Sequence, residues 1–198
     1  MMKEKFPLII ILFLILFVSC QSNGKKSPPQ INPKSNMEAN IFEEGDVLTF
    51  QYPDKSYGIT ILLEVTRSEN IPDFPIPDVH DYDFCRTTFR SEKEPAIDDL
   101  KNLRLIGYDV KQGFLGNNTR TMFYTYVVGH ERLHEYANQL RKIGTIDMHN
   151  MKDRVGASTG APDFESFRNK FDEYQEYNNE YNEYTVKEYS LSDFSIIK

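Results

Sequence analysis

Cysteine is nearly absent, with two residues in 198, at positions 20 and 85. That rules out a disulfide scaffold, and if Cys20 has another duty no intrachain disulfide can form at all, so the fold must stand on its core. An excess of basic residues is also missing: 23 Lys+Arg stand against 30 Asp+Glu, a net charge of −7. This balance argues against nucleic acid as a partner and favours a basic protein or a cation. The one long apolar run, LIIILFLILFV from Leu8 to Val18, is short of the about 20 residues a membrane-spanning helix needs. Neither a phosphate-cradling glycine loop nor a serine-centred nucleophile elbow occurs, so nucleotide and esterase chemistry have no support.

The amino-terminus supplies an address. Lys3 and Lys5 precede the apolar run, and small Ser19 precedes Cys20; these are the parts of an export signal. Phe17-Val18-Ser19-Cys20 resembles the lipobox of bacterial lipoproteins. The resemblance implies a signal peptide over residues 1–19, cleavage before Cys20, and acylation of its sulfur. One acyl chain binds a bilayer only marginally, whereas two or more hold firmly. A lipid anchor at Cys20 and a place in the cell envelope are therefore expected. From residue 20 to residue 40 the chain is rich in Lys, Ser, Pro, Asn and Gln and reads as a disordered tether. QSNGKK carries no acidic run of the kind associated with surface export in some lipoprotein lineages, which points to a periplasm-facing domain. Without Lys3, Glu4 and Lys5 the mature chain has 21 basic and 29 acidic residues, a balance of −8.

Residues 41–198 have the length of one domain with one core. Ordered structure is expected to open at Gly45. Leu48, Phe50 and Tyr52 alternate on one side of a strand, Pro53-Asp54-Lys55 supplies a turn, and Ile59, Ile61, Leu63 and Val65 alternate on a second strand. The proline-rich stretch from Ile71 to Asp81 reads as a loop. A third strand is expected over Tyr82–Arg90, a short helix near Pro95 with Ile97 and Leu100 facing inward, and two more strands over LRLIGYDV and TRTMFYTYVV. Beyond Gly129, the spacing of Leu133, Ala137 and Leu140 predicts a helix over 130–143 with Gly144 as its stop. VGASTGAP reads as a loop, and Asp163 as the cap of a helix over 164–184. That helix carries Phe164, Phe167, Phe171, Tyr174, Tyr177, Tyr181 and Tyr184 as a stripe suited to covering a sheet. The tail YSLSDFSIIK is either a last strand or frayed. The expected class is α+β: a small, strongly bent antiparallel sheet or barrel of about five strands with two packed helices.

The sharpest chemical string is His130-Glu131-Arg132-Leu133-His134, a match to H-E-x-x-H. On a helix its imidazoles lie one turn apart on one face, where both can ligate zinc while the glutamate takes a proton from the metal's water. Charged Arg132 and Glu135 do not suit a helix buried beneath a metal, and Ala137 and Leu140 occupy the places of the extended motif's Gly and third His. Glu165 is a candidate third ligand. The same segment is explained without metal by the apolar face through Leu133, so a zinc peptidase with Glu131 as base is the alternative and no cofactor is the leading expectation. Cys85, in a strand-like run, is expected to pack rather than react. Asp78, Asp81 and Asp83, with His80 among them, form an acidic loop that lacks the glycine and terminal glutamate of a calcium loop; these three aspartates are the candidate partner-binding residues.

Gly45-Asp46-Val47, Phe50, Pro53, Tyr57-Gly58 and Ile61-Leu62 resemble the opening of the immunity protein 26 family of bacterial polymorphic toxin systems. The resemblance covers Phe42 to Arg67 and, more weakly, LRLIGYDV. It implies a small bent antiparallel sheet with no enzymatic activity that binds and blocks a cognate toxin. The export signal departs from the cytosolic setting of most immunity proteins, so either the toxin acts in the periplasm or at the membrane, or the barrel serves another purpose. A non-catalytic structural envelope lipoprotein is the third expectation. No small-molecule substrate is indicated.

Overall fold

The computed structural model describes residues 39–70, 79–111, 119–151, 154–172 and 186–195. The described residues from Ala39 onward belong to one compact unit. The signal segment, Cys20, nearly all of the expected tether and Asp78 lie outside the described residues.

The chain contributes β1 (Asp46–Gln51), β2 (Tyr57–Arg67), β3 (His80–Cys85), β4 (Arg104–Lys111), β5 (Thr119–Gly129), α1 (His130–Tyr136), β6 (Arg141–Thr145), β7 (Val155–Gly160), α2 (Phe164–Asp172) and β8 (Lys187–Ser190). The strands form one curled sheet in the order β6-β1-β2-β3-β5-β4-β8, antiparallel along this path, with β7 added parallel to β5. The molecule is thus mostly sheet, a half-barrel of seven strands in path, and its helices are minor.

Two eleven-residue strands organise the curl. Along β2, residues 57–61 pair with β1 and residues 61–67 with β3. Along β5, residues 125–129 pair with β3 and residues 119–123 with β4. Val127 pairs with both Asp83 and Gly160, and Phe123 with both Gly107 and Val155. A strand has only two edges, so β7 takes one edge of β5 while β3 and β4 share the other in succession. The sheet divides at Arg86, whose N–H donates to the Tyr124 carbonyl and whose own carbonyl accepts from Ile106, each at 3.0 Å. Strand 3 accordingly ends at Cys85, short of the expected Arg90, and begins at His80, inside the expected acidic loop.

The hairpin between β1 and β2 follows from its turn chemistry. Asp54 accepts from the Ser56 hydroxyl and amide and from Arg90, and these bonds, led by the hydroxyl, lower its pKa to about 2. Alternation then sorts side chains onto two faces. Leu48, Phe50, Tyr52, Leu62, Tyr82, Phe84, Tyr126 and Val128 join one apolar cluster, which α1 and α2 cover with Leu133, Tyr136, Phe167 and Phe171. Val47, Ile59, Ile61, Leu63, Cys85 and Phe123 join a second cluster, closed by Leu100, Leu103, Met151 and Leu191. The single core expected from length is therefore two clusters on a shared sheet. A bulge between Leu62 and Glu64 shifts the register, and Val65 packs on the first cluster instead of joining Ile59, Ile61 and Leu63.

Several elements differ from expectation. The predicted helix over 130–143 stops at Tyr136, a short 3-10 turn follows, and Arg141–Thr145 becomes a strand on the edge of β1. Gly144 does not stop a helix. It pairs with Val47, and a Cβ there would meet the Ile97 side chain at 2.1 Å. The expected VGASTGAP loop is largely β7. Asp163 does cap α2, accepting from the Ser166 amide at 2.7 Å; the remainder of the aromatic stripe, Tyr174 to Tyr184, lies outside the described residues. The turn after Pro95 is a 3-10 helix over Ile97–Asn102 that buries Leu100, and Lys187–Ser190 make the tail's first residues a strand on β4.

Candidate functional site

Strand 3 sets the geometry of both polar clusters. In HDYDFC, His80, Tyr82 and Phe84 share one face, and Asp81, Asp83 and Cys85 the other. Because Asp81 pairs with Gly129, the last residue of β5, the first helical residue, His130, lands beside His80. The two imidazoles stack with centroids 4.0 Å apart and planes 19° apart.

Tyr82 is the hub of this cluster. Its ring is fully buried, and its hydroxyl lies 2.9 Å from His130 Nδ1 and 3.0 Å from His80 Nε2 while accepting from the Ile41 amide at 3.1 Å. One helical turn on, His134 brings its Nε2 to 3.1 Å from His130 Nε2. His130 is buried, His80 half-buried and His134 exposed, so the chain of groups runs from the core to solvent. Behind His80, Asn40 Oδ1 accepts from Arg67 Nη2 at 2.6 Å and Nε at 3.2 Å and stands 3.3 Å from His80 Nε2. Asn40 is thus part of the folded unit, although composition assigns it to the tether; Ile41 and Phe42 beside it pack on the first core cluster.

The second cluster occupies the opposite face of β3. Asp83, only 7% exposed, accepts from the Thr125 hydroxyl at 2.8 Å and the Ser158 hydroxyl at 3.0 Å. Burial raises its pKa against the opposing pull of these two bonds, and the neighbouring Asp81 charge adds to the rise. Burial alone raises the half-buried Asp81. A carboxylate enclosed in this way is a structural group, so Asp83 is withdrawn from the expected partner surface. Of the three aspartates, Asp81 is the one placed near the surface, while Asp78 lies outside the described residues.

The structure brings His130 and His134 together, but Glu131 and Glu165 are exposed. Among the described residues, no group of three His, Cys, Asp or Glu is placed to hold a metal. Cys85 is fully buried and its thiol donates to the Arg86 carbonyl at 3.5 Å; burial pushes its pKa far up, which keeps it a protonated core residue. Sequence reasoning missed Tyr82 and Asn40 as partners of the histidines, and Arg67 as the donor that holds Asn40. The signal available was the alternation of HDYDFC, which places His80 and Tyr82 on one face once the segment is read as a strand. Comparison with family models, with curated proteins and with solved structures finds no match.

Proposed function

We propose that this protein is a lipid-anchored binding protein of the cell envelope that faces the periplasm and neutralises a toxin by direct contact. The anchor reading rests on the lipobox-like Phe17-Val18-Ser19-Cys20 after a basic head and an apolar run. The observation that carries the immunity reading is where the resembling residues sit. Gly45 adopts φ +88°, donates to the Leu62 carbonyl at 2.8 Å and accepts from the Ile146 amide at 2.9 Å. Asp46 is buried, caps the Glu43 amide and pairs with Lys142 across the β1–β6 edge. Gly58 lies beneath Phe50, where a Cβ would meet the ring at 2.4 Å. Each of these residues holds the start of the bent sheet in place, which is the structural use that the likeness implies for them and is what supports this reading.

The acidic balance suits a basic toxin, because complementary charge speeds encounter and discourages wrong partners. The test is co-expression, in the periplasm, of the full chain with the protein encoded beside it. Growth arrest by the neighbour and rescue by the chain, with Cys20→Ala rescuing less when the toxin acts at the membrane, is the expected result. A neighbour that causes no arrest, or an arrest the chain leaves unchanged, overturns the reading. Replacing Asp78 and Asp81 by Lys should slow toxin association about tenfold or more at low salt; unaltered kinetics would remove this segment from the interface.

A further inference from the structure

The histidine cluster sits where the expected tether enters the folded unit, and Asn40 and Ile41 are held there by the groups that surround His130. The hydrogen-bond roles can be assigned one by one. Asn40 Oδ1 accepts from Arg67 Nη2 and Nε, so the nitrogen that faces this oxygen, His80 Nε2, carries a proton. The same N–H lies 3.0 Å from Tyr82 Oη, which also accepts from the Ile41 amide. With both acceptor positions of the hydroxyl taken, its own proton goes to His130 Nδ1 at 2.9 Å. The His130 proton is then on Nε2 and is donated to His134 Nε2 at 3.1 Å. We propose that this one-directional chain is a pH-sensitive latch, which holds residues 40–42 against the sheet while His130 is neutral and releases them when His130 takes up a second proton.

The second proton would stand on His130 Nδ1, pointing at the Tyr82 hydroxyl. To accept it, the phenol must give up either the Ile41 amide or the His80 N–H. If it gives up the latter and turns its own proton toward His80, that nitrogen must shed its hydrogen and then faces the Asn40 oxygen lone pair to lone pair. Whichever bond yields, it is one that seats Ile41 or Asn40. Ile41 and Phe42 are only partly buried, so little packing holds the segment once these bonds are lost. The surrounding charges do not favour a cation here. Arg67 stands behind Asn40 at the inner end of the chain, and Glu69, which the His80 charge would attract, is already paired with Arg67 at 3.3 Å. Asp81 lies on the other face of β3, and in α1 exposed Arg132 and Glu135 pair with each other beside exposed Glu131. The latched state excludes the proton and the released state admits it, so the latch is complete above the range in which imidazole charges and is lost as pH falls through it. On a chain anchored at Cys20, freeing three residues adds about 10 Å of reach.

The experiment is nuclear magnetic resonance of the full-length protein in detergent micelles between about pH 7.5 and about pH 5, which spans the ordinary charging of imidazole. Ring nitrogen signals read the tautomers, and amide hydrogen exchange, after allowance for its chemical rate, reads the seat of Ile41. The expected result at the upper pH is a proton on Nε2 of both His80 and His130. Protection of the Ile41 amide should fall about tenfold or more by the lower pH, while that of Phe84, paired on both sides in β3, stays as it was. Tyr82→Phe, which keeps the buried ring, should lose the Ile41 protection already at the upper pH. His134→Gln, which keeps an acceptor for His130, should retain both the seat and its pH response. A His130 proton on Nδ1 at the upper pH, Ile41 protection that ignores pH, or a folded Tyr82→Phe in which Ile41 stays protected overturns the latch. Loss of the response in His134→Gln moves the sensing proton to His134 and overturns the His130 assignment. Should Tyr82→Phe fail to fold, the ring signals and the pH series of the parent protein decide alone. None of these outcomes bears on toxin neutralisation, which the co-expression experiment tests separately.

Discussion

Asp83 shows how one side chain's surroundings reverse its expected role. In the sequence it is one of three aspartates near a proline-rich stretch; in the fold it is enclosed between β3, β5 and β7, with Thr125 and Ser158 as donors. Its pKa is raised above the ordinary 3.8, chiefly by burial. The folded state then holds this proton more tightly than the unfolded chain, so the contribution of Asp83 is most favourable below pH 3.8 and is lost as pH rises through the folded value. Asn keeps an oxygen for both hydroxyls and carries no charge to desolvate. Asp83→Asn is therefore expected to be more stable than the parent at pH 7, with the advantage shrinking as pH falls toward 3.8. Urea unfolding of both proteins at several pH values checks this, and an advantage that grows on acidification would contradict it.

At the scale of elements, the aromatic helix and the HERLH helix were legible to different degrees. Asp163 as cap and Phe164, Phe167 and Phe171 as the inward stripe follow from local chemistry and a 3.6-residue period, and α2 has both. Asp163→Ala is expected to cost about 1 kcal/mol, read as a shift of the urea midpoint. In α1 the same reasoning overran, because Leu140 and Ile143 fit the helical period as well as Leu133 does. The open edge of β1 decides against helix beyond Tyr136, since Arg141–Thr145 satisfy its backbone groups as β6, and such non-local pairing overrides weak local preference. Strand 7 was illegible for a related reason. GASTG has no apolar alternation, and its place follows from close backbone approach to β5, where a Cβ on Gly156 would lie 2.9 Å from the Phe123 carbonyl oxygen.

The whole molecule is built on a sheet with apolar clusters on both faces, and the two clusters share strands β1, β2, β3 and β5. Neither cluster can open without exposing strands that the other needs. Phe167→Ala, which removes a ring in contact with Phe50, Phe84 and Phe171, and Leu63→Ala on the opposite face are expected to cost about 3–5 and 2–5 kcal/mol respectively. Each should lower the temperature of one common transition. Two separate transitions, observed by near-ultraviolet circular dichroism and calorimetry, would show that the faces unfold independently.

By itself the sequence determined what depends on neighbours along the chain: the β1–β2 hairpin with its Asp54 turn, the strands carried by alternating apolar residues, the cap and inward face of α2, and the pairing of His130 with His134 across one helical turn. Only the tertiary structure decided what depends on residues far apart: β6 on the edge of β1, β7 beside β5, the burial of Asp83, the seating of His80 and Tyr82 against His130, and that of Asn40 and Arg67 behind His80. Local spacing sets the direction a side chain takes from its own backbone, but burial and hydrogen-bond partners are set by segments that meet across 40 to 75 residues, which no local period can encode.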